Sequence, residues 1–357
     1  MSWIRKVSFV TLATFFSMFF LLLLAELYGI YTSQSVYQMD ELYGWKLKEG
    51  VSVNLVQKSL DGSAYNVSFK TDSNGMRTFG SQSAKIKILV LGDSFTADPF
   101  ASNEKMWYSK AVENMALELK RPQSDFFVAA TGGGGWGNYQ NLLLADEIKK
   151  KKFVPDLFIF QFCGNDFENN VYEWERTGIA RSQFMRRPYA KIYEGKLVTF
   201  YADHPFAPLY RSVFGQSKVF NQLDGILQGL QFKHYGGYGP QLQEDVLALY
   251  ELRSLSLTSL ILSELREKFN GIPSVMVNCT ESGKGPNAKW AEVAESVGFM
   301  PLTKPSVFLS STDRKENASM FHMDGGHWSE IGNQRYGEIV AKEVVSLIRA
   351  GILSFKE

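Results

Sequence analysis

The sequence predicts an α/β protein: a three-layer α/β/α sandwich with a mainly parallel central sheet, plus one N-terminal transmembrane helix. Three observations support this prediction. From Lys85 onward, apolar strand-like segments alternate with amphipathic helical segments, which implies right-handed crossovers between parallel strands. Polar, glycine-containing motifs follow three of the predicted strands, at the edge where parallel sheets place their ligand sites. The N-terminal segment is apolar enough to cross a membrane.

The N-terminal segment is predicted to be an uncleaved membrane anchor over residues 1–32. Val7 to Leu24 contains no charge and no proline, so it can just cross a hydrocarbon core of about 30 Å. Arg5 and Lys6 precede it, which places the N-terminus in the cytoplasm. The alternative is a cleaved signal peptide, although residues 24–27 offer no clean small-x-small cleavage site. In both cases the remaining chain is periplasmic or extracellular.

The chain beyond the anchor is predicted to contain a polar lead-in at 33–84 and one large domain at 85–357. Within that domain, residues 167–240 break the alternation and are predicted to form an insertion or cap, where an envelope protein partner is able to dock. Strands are expected at 66–70, 85–91, 125–130, 157–162 and 272–278, and helices at 104–120, 138–152, 241–269, 288–297 and 330–350.

Charge and cysteine content exclude several classes of protein. The net charge is +1, so nothing in the composition favours binding to nucleic acid, for which a strongly basic face would be expected. The two cysteines, Cys163 and Cys279, are too few for a disulfide framework or a zinc site. Each ends an apolar run, so both a single bridge between strand ends and two buried free thiols remain open.

The first candidate motif is Gly92-Asp93-Ser94-Phe95-Thr96, directly after a predicted strand. A serine at this edge of a sheet faces a cleft, and the glycine before it permits a tight turn. Gly-Asp-Ser alone is weak evidence, because a helix N-cap serine explains it equally well.

The second motif is the glycine-rich segment 129–138, which opens a helix. Such a segment lets backbone N–H groups converge on an anion. A phosphate-binding loop is the competitor, but the Gly-x-x-x-x-Gly-Lys-Ser/Thr pattern is absent, and a structural turn is the simplest alternative.

The third motif, Gly164-Asn165-Asp166, ends the third strand of the main domain, where an Asn side-chain amide points a donor into the same cleft. A turn or cap residue is the alternative interpretation.

The fourth motif is Asp324-Gly-Gly-His327, just before the last helix. An aspartate three residues before a histidine can hydrogen-bond to the ring and fix its tautomer. The other histidines, His204, His234 and His322, are interpreted as structural.

Taken together, the four motifs resemble the SGNH hydrolase family, the GDSL-type esterases and lipases. The resemblance runs from about Lys85 to Gly351, excluding the insertion, and 74–77 resembles a lead-in found in membrane-anchored bacterial members that act on surface glycans. Gly-x-Ser-x-Gly is missing, which argues against the α/β-hydrolase fold. The second block often carries an asparagine where this chain has Ala130.

The resemblance implies a serine esterase with a Ser94, His327 and Asp324 triad. It assigns the oxyanion donors to the Ser94 and Gly135 N–H groups and the Asn165 side chain, with the glycine fixed only to within a residue or two. It requires no metal and no cofactor. The implied substrate is an acylated envelope glycan; a sugar hydroxyl in place of water would give an O-acetyltransferase, and a non-catalytic envelope component of the same fold is the remaining alternative.

Aromatic residues suggest how such a glycan would be held. Trp136, Tyr139 and Trp328 flank the predicted cleft, where they either stack on sugar rings or pack in the core. The insertion carries a further set with the same two interpretations: Trp174, Tyr189, Tyr193 and Tyr210.

Overall fold

The computed structural model describes residues 3–32, 35–97, 99–178, 181–235, 242–280, 283 and 285–355. The strands are β1 (Tyr37–Asp40), β2 (Gly44–Leu47), β3 (Ser52–Lys58), β4 (Ala64–Lys70), β5 (Arg77–Gly80), β6 (Ile86–Gly92), β7 (Phe126–Gly132), β8 (Leu157–Phe162), β9 (Pro188–Tyr193), β10 (Lys196–Tyr201), β11 (Ser274–Asn278) and β12 (Met300–Leu302). The helices are α1 (Trp3–Thr32), α2 (Ser94–Ala97), α3 (Trp107–Glu118), α4 (Asn138–Lys150), α5 (Asp166–Asn170), α6 (Tyr172–Glu175), α7 (Arg181–Arg186), α8 (Ala207–Arg211), α9 (Lys218–Tyr235), α10 (Glu244–Lys268), α11 (Trp290–Ser296), α12 (Lys304–Ser311) and α13 (Glu330–Arg349).

The central sheet has the strand order β12-β11-β8-β6-β7-β5. Every neighbouring pair in it is parallel except β5, which runs antiparallel to β7 at one edge. The mainly parallel sheet predicted from the sequence is therefore confirmed. Because β6, β7 and β8 are adjacent and parallel, the segments that follow them emerge at the same edge of the sheet.

Helices cover both faces of this sheet. On one face, α3 and α13 pack against β6 and β7, with Trp107 and Tyr336 fully buried between the layers. On the other face, α4, α10 and α11 pack against β8 and β11 through side chains such as Phe158 and Ile261. Because the sheet is buried between two layers of helices, the predicted α/β/α sandwich is confirmed.

The expected core elements occur, with small shifts at their ends. The strand predicted at 157–162 coincides with β8, and the helix predicted at 104–120 begins only at Trp107, because residues 103–105 form a 3₁₀ turn. The sequence analysis did not predict β12 or α12. β12 is only three residues long and contains Pro301, so it carries no readable period.

The lead-in is part of the fold and not a separate tail. It forms the hairpins β1–β2 and β3–β4 and supplies β5 to the edge of the central sheet, which the sequence analysis did not predict. Arg77 is fully buried; its guanidinium donates to the Ala101 carbonyl and to Asn103 Oδ1. It thereby holds the loop that follows α2.

The described residues of the segment 167–240 include a small hydrophobic core with Tyr172, Phe184 and Tyr189 at its centre, and residues 179–180 and 236–240 lie outside the described residues. The β9–β10 hairpin pairs with itself within the described part of the chain. The predicted domain limits and the envelope protein partner expected here stay predictions.

Two described helices are long and apolar enough to span a membrane, over Val10–Tyr31 of α1 and over α10. α10 packs in the sandwich, whereas the side chains of Val10–Tyr31 in α1 are almost all exposed. The Glu26 carboxylate of α1 accepts hydrogen bonds from the Lys218 and Val219 backbone amides at 2.8 and 3.0 Å. This contact joins the C-terminal part of α1 to the start of α9.

Candidate active site

Ser94 lies where β6 ends and the short helix α2 begins. The Asp93 carboxylate accepts a hydrogen bond from the Phe95 amide at 3.1 Å, and the Asp93 carbonyl accepts from Ala97 at 3.0 Å. Asp93, rather than Ser94, therefore accepts hydrogen bonds from the otherwise unpaired backbone N–H groups at the start of α2. The Ser94 hydroxyl is left to reach across to the loop before α13.

Ser94, His327 and Asp324 form one hydrogen-bonded line. Ser94 Oγ is 2.8 Å from His327 Nε2, and His327 Nδ1 is 2.7 Å from Asp324 Oδ2. The second oxygen, Asp324 Oδ1, accepts from the backbone amides of Gly326 and His327 at 2.9 and 3.0 Å. The carboxylate is thus fixed by its own loop, and the imidazole is fixed by the carboxylate.

These contacts favour the ionised form of Asp324. Partial burial opposes ionisation, but the hydrogen bonds from the His327 ring and backbone, together with that from Gly326, outweigh it and hold the pKa of Asp324 well below its usual range. Asp324 therefore stays a carboxylate under any neutral condition. A carboxylate at this position stabilises positive charge on the imidazole when His327 takes up a proton.

Two phenylalanines hold the His327 ring from its faces. Phe100 stacks on it with 4.3 Å between ring centroids, and Phe95 lies 4.8 Å away. Phe100 belongs to the loop that the buried Arg77 holds, so the 74–77 motif supports the His327 ring indirectly, through Phe100. The sequence analysis found the motif but not this role, because Arg77 contacts the loop of Phe100 only in the folded chain.

His322, interpreted from the sequence as structural, also borders the site. It is buried, with Nδ1 at 3.2 Å from Asp324 Oδ2 and Nε2 at 3.2 Å from Gln57 Oε1. Phe100 lies 4.6 Å from its ring. His322 thus packs behind the carboxylate and ties it to the β3–β4 hairpin.

The two predicted oxyanion residues, Gly135 and Asn165, line the same cleft as Ser94 and His327, which has a volume of about 1170 Å³. Asn165 is exposed, and its side chain makes no hydrogen bond within the described residues. Gly135 has φ +72°, a conformation that favours glycine. All four residues therefore face one space large enough for a sugar ring and its ester.

The glycine loop around Gly135 is held in place by carbonyl contacts. Trp45 Nε1 donates to the Gly134 carbonyl at 3.1 Å, and the Gly134 amide donates to the Tyr37 hydroxyl at 3.0 Å. The Arg187 guanidinium donates to the Gly135 carbonyl and, at 2.9 Å, to the Asn169 carbonyl. The Gly134 and Gly135 carbonyls are thus both hydrogen-bonded, the first of them by Trp45, which itself lines the cleft.

Arg187 is fully buried and forms an ion pair with Glu175, whose carboxylate also accepts from the Tyr189 hydroxyl. Burial by itself would lower the pKa of the guanidinium, but the Glu175 carboxylate reverses the effect and raises it. Arg187 therefore remains charged inside the protein. The sequence analysis missed this residue because it lies in the insertion, where no motif marks it.

Beneath the site, Cys163 and Cys279 form a disulfide that joins the ends of β8 and β11. This settles the alternative that the sequence left open. The same region contains Asp166, whose carboxylate accepts from the Cys163 amide and the Asn138 side chain at 2.9 Å each. Burial, and then the charge of Asp93, raise the pKa of Asp166 well above its ordinary value.

One group of described residues has the spacing of a metal site: Asp93 with Cys163 and Cys279. Because the two sulfurs are bonded to each other, neither is a thiolate that could bind a metal. This group is therefore part of the support beneath Ser94 and offers no metal-binding set.

The sequence left two interpretations of Trp136, Tyr139 and Trp328, sugar stacking and core packing, and none of the three lines the cleft. Trp136 is fully buried and packs against Tyr43, and Tyr139 and Trp328 are also buried. The stacking hypothesis is therefore wrong for these three side chains, which pack in the core. Half-buried Tyr37 and Phe95 line the cleft instead.

No protein-family model matches the sequence, and no curated protein matches it. Solved structures with a similar fold include a catalytic mutant of an acetylxylan esterase from Geobacillus stearothermophilus, at 12% identity, with 75% of this chain and 94% of that chain covered and a TM-score of 0.37. A family two carbohydrate esterase from Clostridium thermocellum, in complex with cellohexaose, shares 9% identity over 89% of this chain and 98% of that chain, with a TM-score of 0.40. An α/β hydrolase from the metagenome of Lake Arreo shares 10% identity over 77% and 98%, with a TM-score of 0.36.

Proposed function

We propose that this protein is a serine esterase of the SGNH/GDSL type that removes acyl groups, most simply O-acetyl groups, from an extracytoplasmic glycan. The observation that carries the proposal is the line Ser94–His327–Asp324, with 2.8 and 2.7 Å between the hydrogen-bonding atoms. A nucleophile, a base and an orienting acid so arranged have the geometry of nucleophilic acyl transfer. The cleft that contains them is open to a ligand.

In the proposed reaction, His327 Nε2 takes the proton of Ser94 Oγ as the oxygen attacks the ester carbonyl carbon. The tetrahedral oxyanion accepts hydrogen bonds from the Ser94 and Gly135 amides and from the Asn165 side chain. Collapse breaks the bond to the sugar oxygen, which takes the proton from His327. Water then attacks the acyl-enzyme with its proton passing to His327, and acetate leaves as Ser94 regains its proton.

The proposed location is the outer face of a membrane, with α1 as an uncleaved anchor. The support is the apolar, exposed surface of Val10–Tyr31 and the basic residues before it. The contact between Glu26 and the start of α9 gives α1 a structural role beyond export, which a cleaved signal peptide would lack. Mass spectrometry of the N-terminus of membrane-purified protein tests this, and a mature chain that starts after residue 32 would contradict it.

The chemistry is tested with a fluorophosphonate probe, which labels an activated serine. Wild-type protein should be labelled, and Ser94→Ala should not. Ser94→Ala and His327→Ala should each remove most hydrolysis of 4-nitrophenyl acetate, and the double variant should lose little more, because residues that act as one unit are not additive. Folded wild-type protein that is never labelled would favour the non-catalytic envelope component.

A second assay separates hydrolysis from acyl transfer, the alternative with the same triad. Acetate released into water and acetyl groups transferred to an added glycan are quantified in the same reaction. Release without transfer supports the esterase. Transfer that dominates at ordinary acceptor concentrations would make the protein an O-acetyltransferase and leave the triad assignment intact.

A further inference from the structure

The charged side chains that line the active-site cleft are of one sign. Lys48, Arg186, Lys218 and Arg314 line it, and no aspartate or glutamate does so among the described residues. The whole chain is nearly balanced, with 38 basic and 37 acidic residues. A cleft with only positively charged side chains is electrostatically complementary to a negatively charged ligand.

Three of these cations, Lys48, Arg186 and Lys218, form what is called here the basic wall. Each is half-buried, and none forms a salt bridge with a carboxylate in the described part of the chain. The Arg186 guanidinium donates to Asn221 Oδ1 and lies over the Tyr210 ring, but its Nε is buried without a hydrogen-bond partner. Asp224 is close enough to Arg186 to oppose the lowering of its pKa by burial, but it forms no ion pair with it, so the cationic groups of the wall are available to an anion.

The two lysines of the wall also repel each other. Lys218 is the first residue of α9, and Lys48 follows β2. Burial, and then the positive charge of Lys48, lower the pKa of Lys218, while the Glu26 carboxylate acts in the opposite sense. Glu26 is engaged with the Lys218 and Val219 backbone amides. An anion bound between the lysines would relieve this repulsion.

We propose that the basic wall binds an anionic group of the substrate, a carboxylate or a phosphate, while the ester of the same molecule faces Ser94. The substrate is then an acylated acidic glycan. This inference rests on the proposed function for the ester, and on the cleft alone for the anion. The wall belongs to the lead-in, α7 and α9, so elements outside the sandwich set the substrate class.

The binding test uses full-length Ser94→Ala protein in nanodiscs of neutral phosphatidylcholine, so that no ester is consumed. Calorimetry measures the Kd of acetylated oligogalacturonide, which is acidic, and of acetylated xylo-oligosaccharide, which is neutral. The acidic ligand should bind at least about tenfold more tightly at low salt, and added salt should reduce this preference. Lys48→Gln with Lys218→Gln should bring the ratio of the two Kd values close to one.

Matched variants separate charge from packing. Lys48→Arg with Lys218→Arg retains both charges and should retain the preference for the acidic ligand. Lys149→Gln removes an exposed charge at the far end of α4 and should leave the ratio unchanged. The melting temperature of the glutamine double variant should equal or exceed that of the parent, because two mutually repelling charges are removed.

Two results would overturn the proposal. The first is an equal Kd for the acidic and neutral ligands in the parent protein. The second is a preference that survives in the glutamine double variant. Because hydrolysis is not the readout, a failure of the esterase proposal would be seen separately, as wild-type protein inactive on 4-nitrophenyl acetate.

Discussion

Replacing Asn165 by alanine separates an oxyanion donor from a turn residue. The Asn165 side chain is exposed, lies in the cleft and makes no hydrogen bond within the described residues. Its backbone is in the right-handed helical region, with φ −70° and ψ −14°, which alanine adopts without strain. The free energy of unfolding should therefore change by no more than about 0.5 kcal/mol.

The effect on turnover should be large. A donor that meets charge developing only in the transition state contributes about 3–4 kcal/mol, which corresponds to a loss of about a hundred- to a thousandfold in kcat. KM should change little, because the neutral ester of the ground state makes a weaker bond to the same donor. Fluorophosphonate labelling of Ser94 should become slower but persist, since Ser94 and His327 are unchanged.

The assay is steady-state hydrolysis of 4-nitrophenyl acetate together with a melting curve for each protein. Asn66→Ala is the control, because Asn66 is an exposed asparagine in β4, outside the cleft. Near-normal kcat in Asn165→Ala, with a melting temperature several degrees lower, would refute the oxyanion role. Asn165 would then be a structural residue, and the third motif would lose its functional meaning.

Three further perturbations test the support of the site. Arg187→Met should destabilise the protein by about 3–5 kcal/mol in a denaturant titration, because it leaves the Glu175 carboxylate buried without its ion-pair partner. Adding Glu175→Gln should restore part of the lost stability. Full stability of the single variant would contradict the buried ion pair. Cys163→Ala with Cys279→Ala should lower the free energy of unfolding by about 2–5 kcal/mol, since the bridge closes a segment with a sequence separation of 116, and a reductant should then have no further effect. Because the pKa of Asp166 is raised in the folded protein, its protonation stabilises the fold at acid pH, and this contribution is lost as the pH rises through the folded-state pKa. The melting temperature of Asp166→Asn should therefore fall less with rising pH than that of wild type. Parallel melting-temperature profiles of the two proteins would contradict a contribution from Asp166.

The fold was largely predictable because its signals are local. The apolar run 157–162 and the periodic segment of α13 show in their own residues whether they lie in a strand or a helix. β12 and the elements of the insertion were not predicted, because they carry no local sequence signal. A three-residue strand has no period, and the described residues of the insertion are stabilised by long-range contacts, both with one another and with the sandwich, that no local pattern encodes.

The candidate site divides in the same way. The sequence by itself indicated the candidate residues: a serine and an asparagine, each after a predicted strand, and an Asp-x-x-His segment before the last helix. Only the tertiary structure brought Ser94 to 2.8 Å from His327, across 233 positions of the chain. The roles of these residues in catalysis stay predictions until the variants are measured.

Other features were decided by tertiary structure alone. From the sequence, Trp136 was a candidate for stacking on a sugar ring, but it is buried, whereas Tyr37 of the lead-in lines the cleft. Lys48 and Lys218 are unremarkable surface lysines in the sequence and become neighbours only when β2 and α9 meet. Local periodicity specifies secondary structure, but burial and charge depend on which distant segments pack together, and that information is carried by the folded chain as a whole.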